Sequence, residues 1–207
     1  MSLTRQVMIM GIYNGGLTRE QFLFFETRIT AKLMTEGLSD EEIVKKIFDE
    51  NLFQFPTEKM VTNIARGCLR RLHALDDMTL VAQVANAPSE DAKQICLYAM
   101  MKYNRLVWDF MITVIGDKYR QQDLHFSKSD VNVFFMRLQE QDDDVATWTE
   151  GTINKIRQVL IKVLVENGYL ENTKSEELSP VLICSTLENA IRNNGDEIVL
   201  PAFNCFM

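Results

Sequence analysis

The amino-acid sequence predicts an all-α fold, a helical bundle with helix-turn-helix-like and winged-helix-like parts and at most a short β-hairpin near the C-terminus. Apolar residues repeat at helical spacing along most of the 207 residues. Ser and Thr stand before several of these stretches, where helix N-caps belong, and Gly37 and Gly195 follow two of them, where helices end. Two of the stretches also carry Lys and Arg on their polar side.

Composition indicates a globular chain that must reach an anionic partner through a local patch. Hydrophobic residues make up 46% of the chain and charged residues 25%, and the formal net charge is −7. On average such a chain is repelled by nucleic acid. No apolar run reaches the roughly 18 residues of a membrane span, and the N-terminus lacks the pattern of a secretory signal. We therefore expect a cytoplasmic protein without membrane contact.

Known catalytic and metal-binding motifs do not occur in the chain. It has no phosphate-binding glycine loop, nucleophile elbow, His-Glu-x-x-His pair or dinucleotide fingerprint. The cysteines form no Cys-x-x-Cys pair, and neither histidine lies at ligand spacing from one of them. We expect no enzyme activity, small-molecule substrate, cofactor or metal. The four cysteines are expected to be reduced and packed as small apolar side chains: Cys68, Cys96, Cys184 and Cys205.

The first helix is predicted over the stretch "REQFLFFETRITAKLM". Thr18 and Gln21 have the spacing of a capping box at its start, and Gly37 follows its end. Ser39 and Glu42 repeat the capping-box spacing before a short second helix, "DEEIVKKIFDEN". The sequence thus predicts two successive helices joined by a short turn.

The third predicted helix is basic. It follows Pro56, which disfavours helical backbone at the residue before it, and Thr57 stands at its N-cap position. Residues 59–75, "KMVTNIARGCLRRLHAL", carry four formal positive charges and no carboxylate. A short helix, a turn and a longer basic helix have the outline of a helix-turn-helix. Two-helix corners without DNA have the same outline, and both interpretations stay open.

The middle of the chain predicts one long helix and one shorter one. Ser89 can cap a stretch that runs through "GDKYR" and has apolar residues on more than one face, which indicates the central helix of a bundle. Ser127 or Ser129 can open the next helix, "DVNVFFMRLQEQ". The acidic run at 142–144 is expected to end that helix in solvent.

The stretch "TWTEGTINKIRQVLIKVLVENGYL" predicts a second helix with a basic polar face, capped by Thr149. Its Gly-aromatic-Leu ending and the polar turn after it are typical of the passage from recognition helix to wing in winged-helix domains. A bundle helix with its polar face in water fits equally well. Ser179 and Pro180 are expected to begin a last helix, and "EIVLPAF" is expected to form a short strand near Tyr169.

Candidate nucleic-acid-binding residues lie on the two basic helices. Arg66 and Arg70 have the chemistry to bind phosphate, and Asn63 can reach base edges. The domain prediction separates a helix-turn-helix-like part at 1–82 from a part with the winged-helix-like segment at 83–207, although both could form one compact domain. The complete candidate set is Lys59, Asn63, Arg66, Arg70 and Arg71 on one helix, and Lys155, Arg157 and Lys162 on the other.

The order of the segments "FFETRITAKLMTEG", "DEEIVKKIFDENLFQFPTEKMVTNIARGCLRRLHAL", "YAMMKYNRLVWDF" and "EGTINKIRQVLIKVLVENGYL" resembles the BrxA family. These are small proteins of the BREX phage-exclusion systems of bacteria and archaea. The likeness extends from about residue 18 to 203 and rests on diffuse motifs. Its matching residues are Glu26, Asn51, Arg71, Leu72, Thr152, Glu166, Gly168 and Leu170.

The resemblance implies an all-helical, NusB-like protein that acts with other BREX proteins and binds double-stranded DNA through helix-turn-helix-like or winged-helix-like parts. It implies no enzymatic activity. The isoelectric point near 5.0 departs from that of a typical DNA-binding protein. Two alternatives therefore stay open: an adaptor whose basic helix docks on an acidic surface of a BREX partner, and NusB-like RNA binding.

Overall fold

The computed structural model describes residues 11–19 and 21–206, and all its regular structure is helical. Among these residues the only β contact is an isolated antiparallel bridge between His125 and Glu177. The all-α prediction is confirmed. Residues 1–10, where the sequence predicts no secretory signal, lie outside the described part.

Eleven α-helices occur in the described part of the chain. They are α1 (Phe24–Thr35), α2 (Asp40–Asp49), α3 (Glu58–Ala74), α4 (Met78–Asn86), α5 (Ser89–Tyr103), α6 (Arg105–Phe110), α7 (Asp117–Arg120), α8 (Lys128–Gln141), α9 (Asp143–Ala146), α10 (Glu150–Glu166) and α11 (Ser185–Asn194). Two 3-10 helices span Gly15–Thr18 and Glu197–Phe203, and a π-helix spans Met111–Gly116 between α6 and α7.

Backbone contacts group the chain into two compact units. The central unit is Phe22–Tyr103 and contains α1 to α5, and the flanking unit is Met1–Gln21 with Asn104–Met207 and contains α6 to α11. The sequence predicts a boundary between residues 82 and 83, whereas this grouping keeps Phe22–Tyr103 together in one unit. The reason is that α4 packs against both α1 and α5, which keeps all three helices in one unit.

In the central unit, α1, α2 and α3 enclose an apolar core. The predicted capping box starts α2, since Glu42 N donates to Ser39 Oγ at 3.3 Å and Ser39 N donates to Glu42 Oε2 at 2.8 Å. Helix α3 begins after Thr57, as predicted. The most deeply buried members of this core are Leu33, Ile43, Ile47, Val61, Ala65, Cys68 and Leu69.

The predicted capping box of the first helix is wrong. Thr18 Oγ1 donates to the carbonyl of Gly15 at 2.9 Å and belongs to a separate 3-10 turn. Helix α1 begins only at Phe24, after Leu23, whose φ of 57° and ψ of 45° are left-handed. A right-handed helix cannot run through a residue in that conformation, which separates the turn from α1.

The long central helix predicted from Ser89 is interrupted at Asn104. Helix α5 is buried on most sides, as predicted, with Ile95, Leu97 and Tyr98 without solvent exposure. Asn104 has extended backbone, and its Oδ1 accepts hydrogen bonds from Leu106 N and Val107 N at 3.1 and 3.3 Å. An asparagine that caps a new helix in this way ends the preceding one.

Two further N-cap predictions in the flanking unit are confirmed. Ser127 opens α8 through a capping box, because Ser127 N donates to Asp130 Oδ2 at 2.7 Å and Ser127 Oγ lies 3.0 Å from the same oxygen. Thr149 caps α10 by accepting a bond from Thr152 N at 3.2 Å. Local sequence therefore determines where both helices begin.

The C-terminal predictions need correction. The last α-helix begins at Ser185, because Ser179 is held in extended chain by bonds from its N to Tyr169 O and from Tyr119 Oη to its O. The stretch "EIVLPAF", predicted as a strand, is the 3-10 helix Glu197–Phe203, and Pro201 lacks the donor that a strand ladder needs. The described chain consequently has no β-hairpin. Gly195, with a φ of 74°, ends α11 as predicted.

Candidate nucleic-acid interface

Helix α3 presents its polar side chains on one face. Apolar residues on the other side of the helix are buried in the core of the central unit, which fixes the rotation of the helix about its axis. The predicted orientation of this face is confirmed. Its exposed members are Lys59, Asn63, Arg66, Arg70 and His73.

Three side chains in the first two-thirds of this face make no internal bond. Lys59, Asn63 and Arg66 have no hydrogen bond, ion pair or ring contact to any residue that the structure describes. All three side chains are exposed to solvent. Phosphate recognition needs no more than such donors at suitable spacing.

Arg70 is oriented by an aromatic side chain at the end of α5. Its Nε donates to Tyr103 Oη at 2.8 Å, and its Cζ lies 5.7 Å from the centre of the Tyr103 ring. The two residues are 33 positions apart, so no spacing in the sequence could indicate this contact. Because the contact holds the guanidinium in place, less side-chain entropy is lost when Arg70 binds a ligand.

His73 is paired with a carboxylate of α2. Its Nε2 lies 2.9 Å from both carboxylate oxygens of Asp40, and both side chains are about half exposed, at 54% and 48%. The pair places negative charge beside the C-terminal end of α3. The cationic part of the face is therefore the stretch from Lys59 to Arg70.

Arg71 does not belong to this face. It is 2% exposed, and its Nη1 donates to the carbonyl of Phe22 at 2.9 Å. Consecutive helical residues differ in direction by about 100°, so Arg71 turns inward where Arg70 turns outward. A side chain without solvent access does not fit the predicted role in nucleic-acid binding.

The turn between α2 and α3 is held by its own backbone and by one aromatic anchor. Asn51 and Gln54 have positive φ values of 46° and 55°, and Gln54 N donates to Asn51 O at 2.9 Å. Phe53 is 8% exposed and packs in the core of the central unit. The turn therefore fixes α3 relative to α2 within this unit.

Helix α10 presents a smaller cationic face. Lys155 and Lys162 are exposed and have no partner among the described residues. Arg157 is half-buried, with its Cζ 5.5 Å from the centre of the Phe135 ring and its Nη1 donating to Asn154 Oδ1 at 2.8 Å. Arg157 thus packs against α8 through Phe135, and the two lysines are the exposed cations of this face.

The buried thiols are poorly suited to nucleophilic chemistry. Burial raises the pKa of Cys68 to about 11, although Thr27 Oγ1 lies 3.5 Å from its sulfur, and burial also raises the pKa of Cys96. Thiols with such pKa values are protonated near pH 7. Within residues 11–19 and 21–206 no three His, Cys, Asp or Glu side chains are grouped so that they could hold a metal ion.

No helix in the described part of the chain is both long enough and apolar enough to cross a membrane.

The chain is similar to known proteins over most of its length. The BrxA family model matches residues 11–195. A "BREX protein BrxA" from Bacillus cereus is 34% identical over 190 residues, which cover 91% of this chain and 94% of that protein. A protein of the same name from Paramagnetospirillum magneticum is 25% identical over 178 residues, which cover 84% of this chain and 87% of that protein.

A solved structure shares the fold. The crystal structure of an uncharacterized protein from Magnetospirillum magneticum matches with a TM-score of 0.79 and 23% sequence identity. The match covers 93% of this chain and 98% of that one. At this identity the likeness shows the fold alone.

Proposed function

This chain belongs to the BrxA family, and from that premise we propose that it is a non-enzymatic component of a BREX phage-defence system that binds double-stranded DNA. One observation carries the DNA part of the proposal. Helix α3, which follows the short helix α2 after a turn, buries one face and exposes four donor side chains on the other: Lys59, Asn63, Arg66 and Arg70.

The chemistry of these side chains suggests their roles. Arg66 and Arg70 lie four residues apart, one turn of α3, and each can donate two hydrogen bonds to a phosphate. Asn63 lies closer to the N-terminus of α3, the end that usually meets base edges, and its amide can bond adenine in the major groove. Lys59 adds a point charge in the first turn.

Helix α10 supports the same proposal more weakly. Lys155 and Lys162 can each contact a phosphate, and the exposed amides of Asn154 and Gln158 can donate hydrogen bonds to the DNA backbone. No aromatic side chain or carboxylate of the described chain engages either lysine. We propose these two lysines as additional, non-specific contacts.

Titration of a labelled DNA duplex, followed by fluorescence anisotropy, tests the role of α3. The variant Arg66→Ala/Arg70→Ala removes two phosphate contacts and should reduce the salt slope of binding by roughly two units. A matched control, Lys32→Ala/Lys174→Ala, removes two exposed charges elsewhere and should keep most of the affinity and slope. Equal affinity and equal salt slope of the two double variants would exclude this face of α3 as the DNA-binding surface.

Competition with RNA tests the choice of nucleic acid. The major groove of an RNA duplex is deep and narrow, so a helix that enters the major groove of DNA cannot enter it. A hairpin RNA of matched sequence and charge should therefore displace the labelled DNA less well than unlabelled DNA does. Displacement by RNA at lower concentration than by DNA would instead favour an RNA-binding protein.

A further inference from the structure

We propose that the cleft between α2 and α3 is a docking groove for an acidic, amphipathic helix of a partner protein. The cleft lies within the central unit and has a volume of about 520 Å³. Its lining includes Val44, Lys45 and Phe48 of α2 and Arg66, Leu69 and Arg70 of α3. Those of α2 form one wall and those of α3 form the other.

The exposed floor of this groove is apolar and lies on α2. Phe48 is 38% exposed and Val44 is half-buried, whereas Leu69 of α3 lies beneath them in the core at 3% exposure. A DNA backbone offers no apolar group to cover these side chains. An amphipathic helix does, because its anchors at i and i+4 can occupy a groove between two helices.

The size of the groove suits a short helical contact. From Thr62 to His73 its α3 wall advances by eleven residues, which is roughly 16 Å of helix. A partner helix lying in the groove would place two apolar anchors, one turn apart, over Val44 and Phe48, which are themselves one turn apart on α2. That is the common anchor pattern of helix-in-groove recognition.

The positive charge in the lining of the groove favours a partner helix that carries carboxylates. Three of the lining side chains are cations, Lys45, Arg66 and Arg70, against two carboxylates, in a chain of net charge −7. Asp40 is already paired with His73, and Lys45 is paired with Asp49, so Arg66 and Arg70 carry the positive charge that faces the groove. A carboxylate on the partner helix would meet Arg66, which has no partner among the described residues.

The α2 wall disfavours duplex DNA as the occupant of this groove. Asp40 and Glu41 lie along it, and they would repel a phosphate that approached the floor. DNA that approaches α3 from the side of Lys59 and Asn63 can reach Arg66 at the edge of the groove without entering it. Arg66 and Arg70 take part in both proposals, whereas Val44 and Phe48 belong to the groove alone, so a variant at Phe48 tests the groove separately.

The probe for this proposal is a fluorescein-labelled designed peptide of about 16 residues, a length at which helix formation is favourable enough for binding. It carries leucines at i, i+4 and i+8 with glutamates on the flanks of that stripe. One control peptide replaces each glutamate with lysine, and another replaces each leucine with serine. We expect the acidic amphipathic peptide to bind the full chain at least about tenfold more tightly than either control.

Two matched variants locate the binding. Phe48→Ser should weaken binding of the acidic peptide about tenfold, whereas Phe25→Ser should leave it unchanged, because Phe25 is 74% exposed on α1 and lies outside the groove. Melting curves by circular dichroism establish that both variants fold. Duplex affinity should be the same for Phe48→Ser and wild type, which separates this inference from the DNA proposal.

Three results would overturn the proposal. The first is equal binding of all three peptides by the full chain. The second is an equal effect of Phe48→Ser and Phe25→Ser on the acidic peptide. The third is a set of amide chemical-shift changes, on adding the acidic peptide, that lies outside α2 and α3.

Discussion

Arg28 uses a cationic side chain to join two helices of the central unit. Its Nη2 donates to the carbonyl of Ala87 at 2.8 Å and its Nε to that of Ala85 at 3.3 Å, at the C-terminal end of α4. These carbonyls have no partner inside α4, and a cation also suits the negative end of the helix dipole. Arg28 is therefore a structural residue, although its charge resembles that of the candidate phosphate ligands.

Replacing Arg28 by methionine should lower the free energy of unfolding by about 1–3 kcal/mol, because two partly buried carbonyls lose a charged donor. Urea denaturation followed by circular dichroism measures this difference. Lys32→Met on the same helix is the control, since Lys32 is exposed, and should change stability by less than about 0.5 kcal/mol. Equal effects of the two substitutions would contradict the assigned role.

Asp130 should make stability dependent on pH. Burial raises the pKa of this carboxyl, but bonds from Ser127 N and from Lys118 Nζ, at 2.7 and 3.1 Å, outweigh it and lower the pKa below its usual value. A carboxyl with a lowered pKa stabilises the fold above its unfolded-state pKa. That stabilisation is lost as the pH falls through the folded-state pKa.

The variant Asp130→Asn should cost about 1 kcal/mol of stability near pH 7, because it keeps the shape of the side chain and removes its charge. The cost should shrink as the pH falls below about 4, where the wild-type carboxyl also becomes neutral. Thermal unfolding of both proteins between neutral and acid pH measures the difference. A difference independent of pH would show that the charge of Asp130 contributes nothing.

Individual site residues are predictable from the sequence only where helix geometry determines which side chains are exposed. The face with Lys59, Asn63 and Arg66 follows from helical periodicity once the buried side of α3 is identified. Its charge makes Arg71 a candidate as well, but its position one residue after Arg70 directs it into the core, where it is 2% exposed. The partners of Arg70 and His73 lie on other helices, and no local pattern indicates them.

The π-helix Met111–Gly116 has a glycine at the point where a neighbouring helix approaches it most closely. It packs against the 3-10 helix Glu197–Phe203, and the backbone of the two elements meets at Gly116. A Cβ on Gly116 would lie 3.3 Å from the backbone N of Ala202. Only glycine allows this close approach without displacement of the neighbouring backbone.

Gly116→Ala should therefore destabilise the protein by about 1–3 kcal/mol. The matched control is Gly151→Ala in the first turn of α10, where the nearest atom to the new Cβ would be 3.8 Å away. There alanine should be neutral or stabilise by up to about 1 kcal/mol through its higher helix propensity. Denaturant titration of both variants tests the contrast, and equal stability of the two would contradict it.

The start of an element is predictable when neighbouring residues determine it. The caps at Ser39, Ser127 and Thr149 each act over three residues, so the local sequence indicates all three. No local pattern indicates the left-handed backbone at Leu23, or the 3-10 helix Glu197–Phe203, which packs against the π-helix Met111–Gly116. The apolar β-branched residues of that 3-10 helix are also typical of strands, which is why the local sequence predicts a strand there.

At the scale of the whole molecule, overall charge and local charge act against each other. The chain has 29 acidic and 22 basic residues apart from histidine, so its long-range field repels DNA. The proposed contacts on α3 and α10 must bind at short range, where phosphates are neutralised directly. The fold class and the face of α3 could be predicted from the sequence, whereas the grouping into two units depends on contacts distant in sequence.

The most direct test of the central claim is the affinity of the wild-type protein for a DNA duplex, measured by anisotropy at about 50 and 200 mM salt. If the exposed cations of α3 and α10 bind phosphates, affinity should be high at the lower salt. It should fall by about 0.9 unit in log K per unit of log salt concentration for each phosphate contact. No measurable binding at the lower salt would contradict the claim, since repulsion by the net charge would then exceed the attraction of these helices.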